Sequence, residues 1–192
     1  MTITEEKSGF SFPEAKILDV NLTNKKISKK TLPGDIYKLY PGGSALGVYL
    51  MLQEMRPKVD PFSPDNTLVF AVSPFAGLPI SGTSRLTIST KSPLTGACGD
   101  SQSGGDFPAF LKANGYDAII FRGKADSPIY LYIDGENIEL KDAKNVWGKI
   151  TGDVEEIIRK EIGKKNVEIA QIGPAGENLV KYACVINKMT RA

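Results

Sequence analysis

The chain has 192 residues and a mass of 20.8 kDa, which fits a single domain. Its net charge of +2 comes from interspersed basic and acidic residues, and so small a charge gives no support to a nucleic-acid or membrane-surface partner. It has no histidine, and its two cysteines, Cys98 and Cys184, lie far apart, which excludes histidine-dependent catalysis, a disulfide scaffold and a self-contained zinc or iron–sulfur site. Because no apolar run is long enough for a membrane helix and no N-terminal signal core is present, we expect a cytoplasmic location.

The first half of the chain predicts a hairpin, a helix and two further strands. Alternating residues on both sides of the polar pair Thr23-Asn24 indicate the hairpin, and a Gly-Gly-Ser segment precedes apolar residues at helical spacing. The predicted elements are strands Ala15–Leu22 and Lys25–Lys29, helix Ala45–Met55, and strands Thr67–Ser73 and Ser84–Thr90. Residues Ser92–Gly105 follow and are rich in glycine and serine, so we expect a loop without regular structure.

The second half predicts the same types of element. Asp134-Gly135 is a strong hairpin signal, and a later apolar stripe indicates a helix that Asp153 is expected to cap. The predicted elements are helix Phe107–Asn114, strands Ala118–Phe121 and Ile129–Ile133, helix Thr151–Ile162, and strands Val167–Ile172 and Val180–Asn187.

A weak internal repeat relates the two halves. LTNKKI at Leu22–Ile27 aligns with IDGENI at Ile133–Ile138, and NTLVFAVSP at Asn66–Pro74 aligns with NVEIAQIGP at Asn166–Pro174. Each copy predicts a hairpin, a helix, a strand, a Pro-containing loop and a strand. The spacing is too long for a solenoid, so the pattern favours a duplicated α+β unit over chance similarity between apolar strands.

The Gly/Ser-rich segment Lys91–Gly105 is the first candidate for function. It cannot offset its ordering entropy by burying side chains, so it is either a mobile surface loop or is held by something polar. Its glycines allow close backbone approach to a ligand, and its N–H groups suit phosphate or another anion. It contains neither a P-loop nor a dinucleotide-binding fingerprint.

Few other residues could carry chemistry. Arg85 could hold a phosphate or a planar heterocycle, or could form a surface salt bridge. Asp100 and Asp106 could bind a hard metal or act as acid–base groups, whereas a turn role is favoured for Asp117. Cys98 could be a reactive thiol, and Cys184 is expected to lie in the core.

Several longer motifs occur together in a characteristic order. The chain thereby resembles the N-terminal domain of the tungsten-containing aldehyde ferredoxin oxidoreductase family from about Ala15 to Ala192. The motifs are PGGSALGVYLM at Pro41–Met51, TKSPLTG at Thr90–Gly96, SGG at Ser103–Gly105, LKANGYDAIIFRGKA at Leu111–Ala125, VWGK at Val146–Lys149 and IGPAGENLVKYA at Ile172–Ala183.

The resemblance implies an α+β fold in which a duplicated, sheet-rich unit forms a two-sheet base with a few helices. In this family the base carries two pterins that chelate one tungsten, sometimes molybdenum, and a magnesium ion joins the pterin phosphates. The enzymes oxidise aldehydes to carboxylic acids and pass electrons through a [4Fe–4S] cluster to ferredoxin.

The resemblance also implies which residues contact the cofactor. Arg85, in SRLTISTKSPLTG, matches the family arginine between pterin and cluster. Gln102 stands where family members often have Asn, and its backbone carbonyl, with that of Ala192, would hold the magnesium. The other implied cofactor-binding residues are Ser103, Gly104 and Arg191. No catalytic residue is implied.

The resemblance covers one part of such an enzyme. We expect residues 1–14 to be a flexible segment and residues 15–192 to form one pterin-cradling domain, without the cluster cysteines or the substrate domain. We then expect the chain to be inactive alone and to work with the remaining domains or a large subunit of the enzyme. The other expected partners are ferredoxin and further copies of the chain in a homo-oligomer, and no nucleic acid or membrane is expected as a partner. Two alternatives stay open: a scaffold module or small subunit that has lost redox function, and an independent phosphate-binding enzyme.

Overall fold

A computed structural model describes residues 11–164, 166–189 and 191–192. The first part of the chain supplies six strands and three helices: β1 (Ala15–Asn21), β2 (Lys26–Leu32), α1 (Gly34–Leu39), α2 (Gly43–Glu54), β3 (Leu68–Val72), β4 (Leu86–Lys91), β5 (Cys98–Ser103), α3 (Phe107–Ala113) and β6 (Ala118–Arg122). The strands form one sheet in the order β2-β1-β6-β3-β4-β5. Strand β6 runs parallel to β1, and all other neighbours in this sheet are antiparallel.

The second part of the chain forms two small sheets beside this one. The elements are β7 (Ile129–Asp134), β8 (Asn137–Asp142), α4 (Thr151–Ile162), β9 (Ala170–Gln171), α5 (Pro174–Glu177) and β10 (Ile186–Asn187). Strands β7 and β8 pair as a hairpin, and β9 pairs with β10, both antiparallel.

Strand β1 is buried on both of its faces, and Lys16 is its one exposed residue. Ile17 packs in the core that α2 covers, and Leu18 packs in the core on the opposite face, beneath α3 and the β7–β8 hairpin. Helix α2 crosses β4 at a distance that only glycine permits, since a Cβ on Gly47 would lie 2.4 Å from Ser89 Oγ. This close packing places the N-terminal end of α2 beside the polar side chains of β4 and β5.

The predicted α+β fold with a duplicated unit is confirmed in its order of elements. Hairpin β1–β2, helix α2 and the antiparallel pair β3–β4 correspond to hairpin β7–β8, helix α4 and the antiparallel pair β9–β10. The two copies differ in their sheets, because the first copy is one six-stranded sheet and the second is two separate pairs.

The expectation of a structureless loop at Ser92–Gly105 is wrong. Residues Cys98–Ser103 form the edge strand β5, which pairs with β4 along its whole length. The backbone supplies this pairing, and the side chains of an edge strand can remain polar and exposed. Composition therefore concealed a strand whose stability does not depend on apolar burial.

Two long strands predicted in the second copy are shorter in the structure. Val167–Ile172 contributes only β9 and Val180–Asn187 only β10, because each pairs along one edge over two residues. Cys184 is consequently exposed and not in the core. Asp153 does not cap α4: the N-cap is Ile150 without a side-chain cap, and Asp153 lies in the first turn.

Positions 1–10 of the segment that we expect to be flexible, residues 1–14, lie outside the described residues. Phe12 packs edge-on against Tyr37, with ring centroids 5.5 Å apart. Across the described parts of the chain, every helix is too short or too polar to cross a membrane.

A charged cluster joins β1, β2, β6 and α2 at the edge of the sheet. Asp19 is 2% exposed and accepts hydrogen bonds from Arg122, one of them from Nε at 3.1 Å, while Lys30 Nζ lies 2.6 Å from the same carboxylate. Glu54 contacts both basic groups. Burial alone would raise the pKa of Asp19, but the hydrogen bonds from Arg122 and Lys30 outweigh it, so the pKa lies below its ordinary value of 3.8.

We predict that this cluster makes the fold sensitive to acid. A lowered folded-state pKa means that Asp19 stabilises the fold fully above pH 3.8 and loses this effect as the pH falls through the folded-state value. Asp19→Asn should lower the free energy of unfolding at pH 7 by about 2–3 kcal/mol, somewhat less than for a fully buried pair because Arg122 stays partly exposed.

Urea unfolding at pH 7 and pH 3 measures both effects. The control is Asp126→Asn at an exposed position, which should change stability by less than about 0.5 kcal/mol. If Asp19→Asn has the stability of the wild type at pH 7, the cluster does not stabilise the fold.

Candidate functional site

A cleft of about 390 Å³ lies where the start of β4 meets the end of β5 and the end of the chain. We call it the arginine pocket, because the guanidinium-bearing residues Arg85 and Arg191 line it together with Gly104. The loop before β4 and the N-terminal part of α3 complete its wall, through Gly77, Leu78, Ile80, Gly82, Thr83, Ser84, Asp106 and Ala109.

Local hydrogen bonds fix the position of Arg85. Its carbonyl accepts the N–H of Ser73 at 3.1 Å, which ties the residue before β4 to the residue after β3. The neighbouring Ser84 donates from Oγ to the carbonyl of Gly105 at 2.6 Å. The start of β4 and the segment after β5 are therefore held together on one side of the pocket.

Arg191 enters the pocket from the end of the chain. Its backbone exchanges two hydrogen bonds with Asn187, of 2.8 and 3.0 Å. A Cβ added to Gly104 would lie 3.7 Å from Arg191 Nη1, so this guanidinium lies over a backbone that carries no side chain. The approach leaves the peptide groups near Gly104 accessible beside a permanent positive charge.

Asn187 holds these parts in register. It is 1% exposed, and its Nδ2 donates to Ser103 Oγ at 2.9 Å. Gly105 has φ +116° and packs against the same side chain, since a Cβ there would lie 2.1 Å from Asn187 Oδ1. That oxygen is buried without a hydrogen-bond partner among the described atoms. No sequence motif pointed to Asn187, because its role depends on a contact between residues 103 and 187.

Gln102 directs its side chain away from this pocket. Its Nε2 donates to Ser44 Oγ at 2.8 Å, and Ser44 and Ser89 both donate to the carboxylate of Asp100. The pairing of Thr87 with Gln102 places this polar cluster on the α2 face of the sheet. Any role of Gln102 at the pocket is thus limited to its backbone.

The structure therefore brings together three of the six predicted residues: Arg85, Gly104 and Arg191. Ser103 lies behind them, buried against Asn187. Ala192 is exposed next to Arg191 and, like Gln102, is absent from the described lining of the pocket. Of the other candidates, Asp106 also lines the pocket, and Cys98 is exposed outside it. Asp117 has a structural role, because it is buried and accepts hydrogen bonds from the Lys16 amide at 2.8 Å and from the Tyr37 hydroxyl at 2.9 Å.

The charges at the pocket favour an anionic ligand. Neither Arg85 nor Arg191 forms an ion pair within the described part of the chain, whereas the carboxylate of Asp106 is paired with Lys188. Two free guanidinium groups beside a glycine backbone suit phosphate or pyrophosphate oxygens, which accept paired hydrogen bonds from such groups. The described residues contain no cluster of acidic and cysteine side chains that could hold a metal ion without another ligand.

Comparison with known proteins adds an independent finding. Residues 17–192 match the family model of the aldehyde ferredoxin oxidoreductase N-terminal domain. Over 177 residues the chain is 50% identical to the tungsten-containing aldehyde ferredoxin oxidoreductase of Pyrococcus abyssi and 48% identical to that of Pyrococcus horikoshii. Each alignment covers 92% of this chain but only 29% of the relative, so the chain spans less than a third of their length.

A solved structure shows the same fold. A chain of the active-site complex BamBC of benzoyl coenzyme A reductase, in complex with 1,5-dienoyl-CoA, superposes with a TM-score of 0.88 and 38% sequence identity. The match covers 90% of this chain and 26% of that one. The family match over nearly the whole chain, together with the conserved fold, shows that this chain belongs to the aldehyde ferredoxin oxidoreductase N-terminal domain family.

Proposed function

We propose that this chain is the cofactor-cradling domain of a tungsten or molybdenum pterin oxidoreductase that oxidises aldehydes to carboxylic acids. The observation that carries the proposal is the arginine pocket, in which Arg85 and Arg191 lack described ion-pair partners and face a backbone that is free of side chains at Gly104. The chemistry of these donors fits a pterin with phosphate groups.

Each residue has a distinct part in this proposal. Arg85 and Arg191 bind the anionic groups of the pterins through charge-assisted hydrogen bonds, and Gly104 permits close approach of the backbone. Ser103 positions Asn187, which in turn holds the residues around Arg191. The backbone carbonyls of Gln102 and Ala192 are proposed to hold the magnesium that joins the pterin phosphates. When bound, the metal–pterin cofactor supplies the redox chemistry.

The chain contributes binding and orientation, and the remaining domains or a large subunit contribute the rest. We propose that they hold the [4Fe–4S] cluster and the acid–base groups, that electrons pass to ferredoxin, and that the assembly is a cytoplasmic homo-oligomer. A scaffold that has lost redox function would have no need for two arginines without described ion-pair partners in one pocket, so the arrangement favours a cofactor-binding role.

We predict that Arg85→Ala weakens retention of the cofactor in the complete enzyme. One charge-assisted hydrogen bond contributes about 1.5–3 kcal/mol, so the affinity for the pterin should fall roughly 10- to 100-fold. Arg85→Lys should retain more cofactor but transfer electrons more slowly, because lysine keeps the charge and loses the planar fork. The measurements are tungsten and pterin content and aldehyde-dependent dye reduction.

Arg56→Ala is the matched control, because Arg56 is exposed and lies outside the pocket lining. It should leave both measurements at the wild-type level. Wild-type cofactor content and activity in Arg85→Ala would remove Arg85 from the site.

We predict that Gly105→Ala disturbs the pocket more than an equivalent change elsewhere. Both Gly105 and Gly148 have positive φ values, +116° and +80°, so alanine strains the backbone at either position. Only at Gly105 would the new Cβ also collide with Asn187, whereas nothing lies within 4 Å at Gly148. Cofactor content should therefore fall in Gly105→Ala and stay near wild type in Gly148→Ala, with thermal unfolding measured in parallel. Equal cofactor content in the two variants would contradict the positioning role of Asn187.

We predict that the 192-residue chain alone binds no iron–sulfur cluster and oxidises no aldehyde. Its two cysteines, Cys98 and Cys184, are fewer than the four ligands that a [4Fe–4S] cluster ordinarily takes. Iron and sulfide analysis of the purified chain tests this. Stoichiometric iron and sulfide would show that the chain assembles a cluster by itself.

A further inference from the structure

A large apolar cavity lies between the second copy of the duplicated unit and the α3 face of the first copy, which contributes Phe70, Phe107 and Leu111 to its lining. Its volume is about 640 Å³, and apolar side chains from β7, α4 and the segment around β9 dominate its lining. In the first copy, β6 occupies the corresponding position between β1 and β3.

The cavity follows the backbone edges of two strands. Every residue of Ile129–Asp134 and every residue from 167 to 172 lines it. Side chains on one face of a strand would supply only alternate residues, so a continuous lining means that the strand edge itself borders the space. Within the described chain, β7 pairs only with β8, and β9 pairs only with β10.

In the first copy, the central strand β6 occupies the position that corresponds to the cavity. There, β6 pairs in parallel with β1 over five residues and antiparallel with β3 over four. Ala118 and Ile120 of β6 pack beneath α2, and Ile119 packs on the opposite face. In the second copy the covering helix is present, since Val154 and Ile158 of α4 pack with Ile169, but the central strand is missing.

We propose that this cavity is a strand slot, filled by an extended apolar segment from the remaining part of the enzyme. The segment takes the place that β6 takes in the first copy, parallel to β7 and antiparallel to β9. It carries apolar residues on both faces, as AIIFR of β6 does. The proposal rests on the proposed function, because the chain spans only 29% of the tungsten-containing relatives and the occupant belongs to the portion that it does not span.

Polar groups at the slot support a peptide occupant over a purely apolar one. Glu168 Oε2 and Gln171 Oε1 are buried acceptors without a described partner, although Gln171 Nε2 donates to the carbonyl of Thr151 at 3.0 Å. Buried acceptors without donors are costly, and backbone or side-chain N–H groups of an inserted segment would satisfy them.

The geometry of the hairpin identifies the amides that an added strand would use. Asp134 and Asn137 close a two-residue turn and so form a hydrogen-bonded pair, after which hydrogen-bonded and non-hydrogen-bonded pairs alternate. The N–H groups of Leu131 and Ile133 consequently point away from β8 and toward the slot, whereas that of Tyr132 is bonded to β8.

Hydrogen exchange in the complete enzyme and in the 192-residue chain tests this assignment. The amides of Leu131 and Ile133 should exchange at least tenfold more slowly in the complete enzyme, with a much smaller change at Tyr132. If the amides of Leu131 and Ile133 exchange at equal rates in both samples, the proposal is overturned. It is also overturned if these amides exchange fast in a complete enzyme whose cavity holds a small apolar molecule. Protection that rises with the concentration of the chain alone would show that a second copy fills the slot, and would also overturn it.

A pair of variants tests the edge without relying on exchange. Leu131→Pro removes the outward N–H, which an edge strand tolerates, and Leu131→Val shortens the side chain but keeps the N–H. The two variants should unfold at similar temperatures in the chain alone, whereas Leu131→Pro should unfold at a clearly lower temperature in the complete enzyme. The same difference between the variants in both samples would contradict a strand in the slot.

Both measurements can be made on the complete enzyme without tungsten. Loss of protection at the slot and loss of cofactor in Arg85→Ala are therefore separate results, and either proposal can fail while the other stands.

Discussion

The arginine pocket depends on the contact of Asn187 with the end of β5. This nearly inaccessible amide donates to Ser103, packs against the bare backbone of Gly105 and exchanges two backbone hydrogen bonds with Arg191. Without it, the end of the chain would have no fixed relation to Arg85. One buried amide side chain thus helps to bring two arginines that are far apart in the sequence into a single pocket.

The sheet around the pocket provides rigidity through its centre. Strand β6 lies between β1 and β3, and residues on its two faces join the cores beneath α2 and α3. The polar ends of β4 and β5 extend from this core, so their backbones can remain free of covering side chains. Rigid elements that present exposed backbone are well suited to hold a large anionic cofactor in one orientation.

Within the described residues, the two copies of the duplicated unit differ in how their strands are paired. The first is a six-stranded sheet with apolar cores on both faces, and the second has a corresponding hairpin, helix and antiparallel pair, with the unpaired edges of β7 and β9 bordering the cavity. The relatives are more than three times as long as this chain. In the part of the chain that the structure describes, the pocket holds two arginines without ion-pair partners, and the slot is bordered by the unpaired edges of β7 and β9.

The sequence by itself determined the fold class, most of the helices and strands, and the candidates Arg85, Gly104 and Arg191. Apolar periodicity and turn residues specify such elements locally, and the hairpin at Asp134-Gly135 and helix Thr151–Ile162 were accordingly predicted close to their observed bounds. The prediction from composition was wrong for β5, whose sequence resembles that of a loop. This strand is held by backbone hydrogen bonds to β4, which do not depend on the side chains.

Only the tertiary structure decided which candidates meet. The side chain of Gln102 points to the α2 face, although it is adjacent to Ser103, because successive residues of a strand face opposite sides of the sheet. Asn187 carries no local signal, since the contacts of its side chain, Ser103 and Gly105, lie more than 80 positions earlier in the chain. The slot is equally invisible in the sequence, because an unpaired strand edge is defined by the absence of a neighbour in space.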